Sequence, residues 1–379
     1  MTAYVQDIQC VVPETAYRQS FIKGQMPRWT GGGERLRRCI EKLYDSSAIE
    51  KRHSVVADID SFYVPLSDGS FETPSTHRRN DLYIEYGRRL FVEAGRKVLR
   101  ANRGCGPVTH VITVSCTGFY NPGPGVDIIK ALGLPVSVHR FHIGFMGCYG
   151  AFPALKLAQA ICASDASATV LIVSVELCTL HAQSCTDIDT LLAGTIFADG
   201  AAAALVSGLE PEDKAGFALR DFYSYIIADS EELMTWRIAE QGFKMTLSRK
   251  LPQTIGRNVR GILEGAFGQW DISQEDIEHW AVHPGGKAIL DQIEAALGID
   301  DCLRDCRWVL GRFGNMSSAT ILFILERILR GRGSKAGENV LAMGFGPGVT
   351  VEAALMEKVC SAGIDPAAGG GYKKEVVTK

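Results

Sequence analysis

The chain has 379 residues, 46% of them hydrophobic and 22% charged, the proportions of an ordinary globular protein. That length exceeds one ordinary core and points to two domains or an intimate pair of halves. Forty basic against 43 acidic residues leave a net charge of −3, which gives no sign of a broad nucleic-acid-binding surface. Residues 1 to about 80 read as irregular. Apolar positions at helical spacing predict a helix over 80–102, and the β-branched run VTHVITVSC at 108–116 predicts a central strand. The turn-rich TGFYNPGPG leads to a short helix over 125–133. A helix over 149–163 precedes a buried strand over 168–177, and a further strand over 201–206 follows the turn Asp199-Gly200. The rhythm then repeats: helix 252–268, strand 279–283, helix 286–298, helix 316–330, strand 339–345, and a strand over 349–356 after the turn from Gly344 to Gly348. Strands alternating with helices in both halves argue for a layered α/β architecture. The tail, 361–379, is expected to be poorly ordered.

The eleven cysteines are scattered without a CxxC pair, and several sit in apolar runs such as Ile161-Cys162-Ala163. Reduced, buried thiols in a cytoplasmic protein are expected rather than a disulfide framework. The start, MTAYVQDIQC, shows no signal-peptide pattern. No apolar stretch reaches the roughly 18 residues of a membrane span.

Three residues carry candidate chemistry. Cys148, in GFMGCYGAFPALKLA, sits between Gly147 and Gly150 at the start of a helix, where unpaired N–H groups and the macrodipole favour a thiolate. A buried structural cysteine is the competing explanation. His283 leaves a short strand before Pro284-Gly285-Gly286, a place from which a ring can point into a cleft at a sheet edge. There it could polarise a thioester carbonyl or pair with a thiolate, or it could simply be packed. His53, His110 and His181 lie in comparable segments. Asn315 follows Gly314 before an apolar helix, a good N-cap pattern, and its amide could equally donate to an oxyanion. Gly344-Phe345-Gly346-Pro347-Gly348 forms a rigid turn that lacks the Lys-Ser/Thr of a phosphate loop.

Together these segments resemble the type III polyketide synthases, the chalcone-synthase-like branch of the thiolase superfamily. The resemblance runs from about residue 45 to 357. It rests on GFMGCYGA, VELCTL at 175–180, IFADGAAAAL at 196–205, AVHPGGKAIL at 281–290, GNMSSATILFILE at 314–326 and GFGPGVTVEAAL at 344–355. It implies a thiolase-like αβαβα fold of two pseudo-repeated halves, 1–215 with the cysteine and 216–360 with the histidine and asparagine, and a homodimer. Cys148, His283 and Asn315 match the family triad, with His283 holding the Cys148 thiolate as an ion pair. Phe197 matches the gatekeeping phenylalanine. Cys178, His181, Met245 and the turn Gly344, Phe345, Gly346, Pro347 and Gly348 match pocket positions. Lys42 and Ala288 match contacts to coenzyme A. Met245 replaces a family phenylalanine, Ala198-Asp199-Gly200 replaces Gly-Asp-Gly, and Cys178 is similar to bacterial members. CTGFYNPGPG is similar to enzymes that accept fatty acyl starters.

The resemblance implies acyl-CoA and malonyl-CoA as substrates. Decarboxylation drives each extension, so neither a metal nor a redox cofactor is expected. Rival expectations are a single-step ketoacyl-ACP synthase III-like enzyme, a non-catalytic binding subunit and a cysteine hydrolase.

Overall fold

Thr169–Leu177 and Asp199–Ser207 are buried at every residue. Continuous Val, Ile, Leu and Ala runs of this kind are what a strand needs when both faces are covered. These strands belong to a computed structural model that describes residues 2–30, 33–67, 71–102, 104–183, 185–212, 214–331 and 335–359. The tail at 361–379 lies outside the described residues.

The main sheet runs in the order His279–Val282, Asn339–Gly346, Thr350–Val359, Gly216–Ile226, Ala3–Val11, Asp199–Ser207, Thr169–Leu177, His110–Ser115, His139–Gly144. Each half is wound by the same rule. Its first strand pairs antiparallel with its last, the last antiparallel with the one before, and that one parallel with an earlier strand. The first strands of the halves pair with each other, Ala3 opposite Leu219.

Two helices fill corresponding places. Ala151–Ser164 and Thr320–Leu329 each precede the penultimate strand of their half. The first touches strands of the N-terminal half and Thr350–Val359; the second touches Ala3–Val11 and Asp199–Ser207 as well as its own half. They form the middle layer between the two half-sheets. The helix Thr76–Ala101 covers the outer face of the first half-sheet and Leu251–Trp270 touches Gly216–Ile226 in the second, completing αβαβα.

The N-terminal segment is not irregular. It holds the strand Ala3–Val11 and the helices Gln19–Thr30 and Glu34–Asp45. Ala3–Val11 escapes a reading of apolar periodicity because Gln6 and Asp7 are buried in it. Gln6 Nε2 donates to Ser207 Oγ at 3.0 Å, and Asp7 accepts from Asn102 and Arg330, both at 3.1 Å. Partners that distant in sequence cannot be seen in a local pattern.

Candidate active site

His110–Ser115 runs parallel to both His139–Gly144 and Thr169–Leu177. Their carboxyl ends therefore open at one edge, the place where an α/β sheet leaves a crevice. Cys116 and Cys178 are the first residues past two of these strands, and Cys148 lies four residues past the third. All three thiols line one cavity, together with Thr117, Gly147, Ser317 and Pro347. The ten described cysteines are all free.

Cys148 is presented by a turn at Gly147, which has a φ of +82°. A Cβ at Gly147 would overlap the Pro347 ring, so the nucleophile turn of one half and the glycine turn of the other are in direct contact. The thiol is 5% exposed, with the Ser317 and Asn315 side chains facing it. Burial pushes the thiol up to about 12; Glu176 adds to the rise, and Ser317 and Asn315 oppose it. Removal from water thus acts against the thiolate that the helix start would favour.

Asn315 Oδ1 accepts from Ser317 N at 2.8 Å, in the turn that leads into the helix Thr320–Leu329. That leaves the amide nitrogen as the end toward the Cys148 sulfur. Ser317, with a φ of +47°, is a site residue missed in the sequence, where it reads as one more position of a helix start.

His283 follows His279–Val282 and is completely buried, and it does not line the cavity. Its backbone N donates to Met343 O at 2.8 Å, which docks it beside the strand that enters the glycine turn. Neither ring nitrogen has a hydrogen-bond partner. Burial lowers the imidazole to about 3. Burial thus opposes charge on Cys148 and on His283 alike, and the ring is a buried polar group without a hydrogen-bond partner.

A buried carboxylate supports the site from below. Glu176 accepts from Cys116 N at 3.0 Å, Thr117 Oγ1 at 2.8 Å and Ser115 Oγ at 3.4 Å, and also from Ser318 Oγ. Burial raises its pKa and these donors oppose the rise. The sequence flagged VELCTL but gave no role to this acid, whose donors come from two segments about 200 residues apart.

Of the expected pocket residues, Phe197, Cys178, His181, Met245 and Pro347 line the cavity. Gly344, Phe345, Gly346 and Gly348 do not. The faces of Gly344 and Gly346 lie against the rings of Phe152 and Tyr149, and Phe345 is buried in the core. Their small size admits aromatic packing rather than ligand. Lys42 and Ala288 are exposed, on the helices Glu34–Asp45 and Lys287–Leu297, and neither lines this cavity.

His181 is wedged into the wall. Its Nε2 donates to Thr117 O at 2.8 Å, its Nδ1 accepts from Phe243 N at 3.0 Å, and it stacks on the Phe243 ring at 4.2 Å. Burial holds it neutral, at about 3. The cavity is also lined by the apolar and aromatic side chains of Ile22, Met26, Trp29, Phe62 and Tyr63. These come from the segment whose structure the sequence did not reveal. Among the described residues, no three His, Cys, Asp or Glu side chains group closely enough to hold a metal ion. Nor is any helix among them long and apolar enough to cross a membrane.

Residues 2–211 match the family described as chalcone and stilbene synthases, N-terminal domain, and residues 219–360 match the C-terminal domain of the same family. Among solved structures, the chain is similar to PKS-I from the brown alga Ectocarpus siliculosus. The match has 28% identity and a TM-score of 0.87, covering 94% of this chain and 98% of that one.

Proposed function

Because this chain belongs to the chalcone and stilbene synthase family and is a type III polyketide synthase, a malonyl-CoA-dependent acyltransferase, we propose that it loads a fatty acyl starter from coenzyme A onto Cys148 and extends it repeatedly. The observation that carries this reading is the cavity itself. It is lined by the Cys148 thiol and Ser317 and by the apolar side chains of Ile22, Met26, Trp29 and Phe62. A chain attached at the sulfur has an apolar place to lie.

In the loading step, Cys148 Sγ attacks the acyl thioester carbonyl. The new S–C bond replaces the bond to coenzyme A, whose sulfur leaves with the Sγ proton. Malonyl-CoA then loses its carboxylate as CO2, and the electron pair of that bond becomes an enolate. The Asn315 amide nitrogen and an N–H of neutral His283 stabilise its oxygen. A neutral imidazole with no other partner is suited to donate there without adding charge to a buried site. The enolate carbon attacks the Cys148 thioester, and the sulfur is released. Phe197, His181, Met245 and Cys178 bound the space in which the poly-β-keto chain folds to an alkylpyrone, resorcinol or phloroglucinol-like ring. Coenzyme A itself is expected along Lys42 and Ala288.

The edge strand His139–Gly144 pairs on one side only and is mostly exposed, with Phe119, Phe141 and Phe145 also exposed near it. Pairing with the same edge of a second copy would cover it, so a homodimer in the cytoplasm is the assembly proposed.

Acyl-CoA and malonyl-CoA, supplied without a carrier protein, should give cyclised products detectable by mass spectrometry. Cys148→Ala should abolish condensation and retain malonyl-CoA decarboxylation. Elongation at the wild-type rate by Cys148→Ala would sink the assignment. A dependence on carrier protein, or release of free acid without malonyl-CoA, would favour the ketoacyl synthase or the hydrolase.

A further inference from the structure

The cavity wall at Phe197 is braced by two buried polar side chains from the N-terminal segment for which the reaction scheme has no use. The helix Ile188–Ile196 ends at Phe197, which adopts an extended conformation. Carbonyls at such an end need donors from elsewhere. Arg52 Nη1 donates to Gly194 O at 2.8 Å and to Phe197 O at 2.7 Å. Gln19 Nε2 donates to Thr195 O at 2.8 Å, and Gln19 Oε1 accepts from Arg52 Nε at 3.0 Å. The remaining carbonyl, Ile196 O, accepts from Asn315 N at 2.8 Å, and Ala198 N returns a bond to Asn315 O at 2.9 Å. The carbonyls of 194, 195, 196 and 197 thus end on Arg52, Gln19, Asn315 and Arg52 in turn. Gly314 closes the cluster: a Cβ there would crowd Ile196 O, Arg52 Cγ and Ala198.

We infer that Arg52, oriented by Gln19, is a positioning residue that sets the Phe197 ring in the cavity wall and, through the backbone exchange between 196–198 and 315, keeps it in register with the Asn315 amide beside Cys148. A guanidinium can hold two carbonyls at fixed separation because its donors form a rigid plane. A lysine ammonium on a flexible stem cannot fix both. Gln19 locks the plane by occupying Nε. The gate and the oxyanion donor would then move as one unit, so malonyl decarboxylation occurs only when the wall is closed behind the reacting chain. This inference rests on the proposed roles of Phe197 and Asn315.

The test is the number of CO2 molecules released per carbon–carbon bond formed, measured in Arg52→Lys, Phe197→Ala and the double variant, with helix content and thermal midpoint as folding controls. Arg52→Lys should raise uncoupled CO2 release on the order of tenfold, the worth of one charge-assisted hydrogen bond. In the Phe197→Ala background the same substitution should add less than about twofold, because the two changes act through one element. Equal effects in both backgrounds, or decarboxylation and condensation falling together with the folded fraction, overturn the inference. If Arg52→Lys does not fold, Gln19→Leu must shift the ratio in the same direction, and an unchanged ratio overturns it too. A wild-type protein that forms no malonyl-extended product overturns the functional reading itself. A wild-type protein that condenses, with an unmoved ratio in Arg52→Lys, overturns only the positioning role.

Discussion

Alkylation of Cys148 should become about tenfold faster with each pH unit between 6 and 10. With the thiol at about 12, its thiolate fraction at pH 7 is on the order of 10^-5, against roughly 10^-2 for a solvated cysteine. Burial pushes the thiol up and the His283 imidazole down, so both shifts oppose proton transfer from Cys148 to His283. The assay is a short iodoacetamide pulse at a series of pH values, followed by mass spectrometry of the Cys148 peptide. Exposed Cys302 serves as the internal reference in the same digest. His283→Ala should leave the curve where it is. A pH-independent plateau below pH 7 that vanishes in His283→Ala would refute the reasoning, since it would show that the ring charges the thiol after all.

Gly147→Ala should destabilise the fold by about 2–5 kcal/mol, combining a left-handed backbone with overlap onto the Pro347 ring; a urea midpoint within error of wild type would contradict the contact between the two turns. His181→Ala removes the stack on Phe243 and two hydrogen bonds. It should cost about 2–4 kcal/mol and lengthen the preferred products, read by denaturation and by product mass. Asp199 gives a pH signature. It accepts from Val55 N, Thr179 N and Thr179 Oγ1, yet burial raises it from 3.8 to about 6. The folded state therefore binds the proton more tightly than the unfolded state. The associated stability is complete below pH 4 and is lost as pH rises through 6, about 3 kcal/mol in all. Asn at this position does not titrate, so the stability of Asp199→Asn relative to wild type should improve by that amount from pH 4 to pH 7. A pH-independent difference would show that the carboxyl is not raised.

The legibility of this molecule in its sequence divides along physical lines. Thr76–Ala101 and Leu251–Trp270 were readable from their helical apolar period, and Thr169–Leu177 from its continuous apolar run. Cys148 and Asn315 were readable because glycines mark the turns that present them. Ser317, Glu176 and the Arg52–Gln19 brace were not. Their roles are defined by partners scores of residues away, and a polar residue met in isolation says nothing about who satisfies it. The glycine turn shows the opposite error. Its composition suggested space for a ligand, and Gly344 and Gly346 instead make room for Phe152 and Tyr149. The burial that opposes charge on Cys148 and His283 also escaped, since desolvation depends on everything packed around a group.

Glu176 also bears on the history of the fold. Its donors Ser115, Cys116 and Thr117 come from the first half and Ser318 from the second. A duplicated half that drifted alone would bury this acid with part of its shell missing. Once such an acid sits on the seam, the repeats become obligate to one another: neither can be swapped, expressed separately or permuted past the other without stranding a charge.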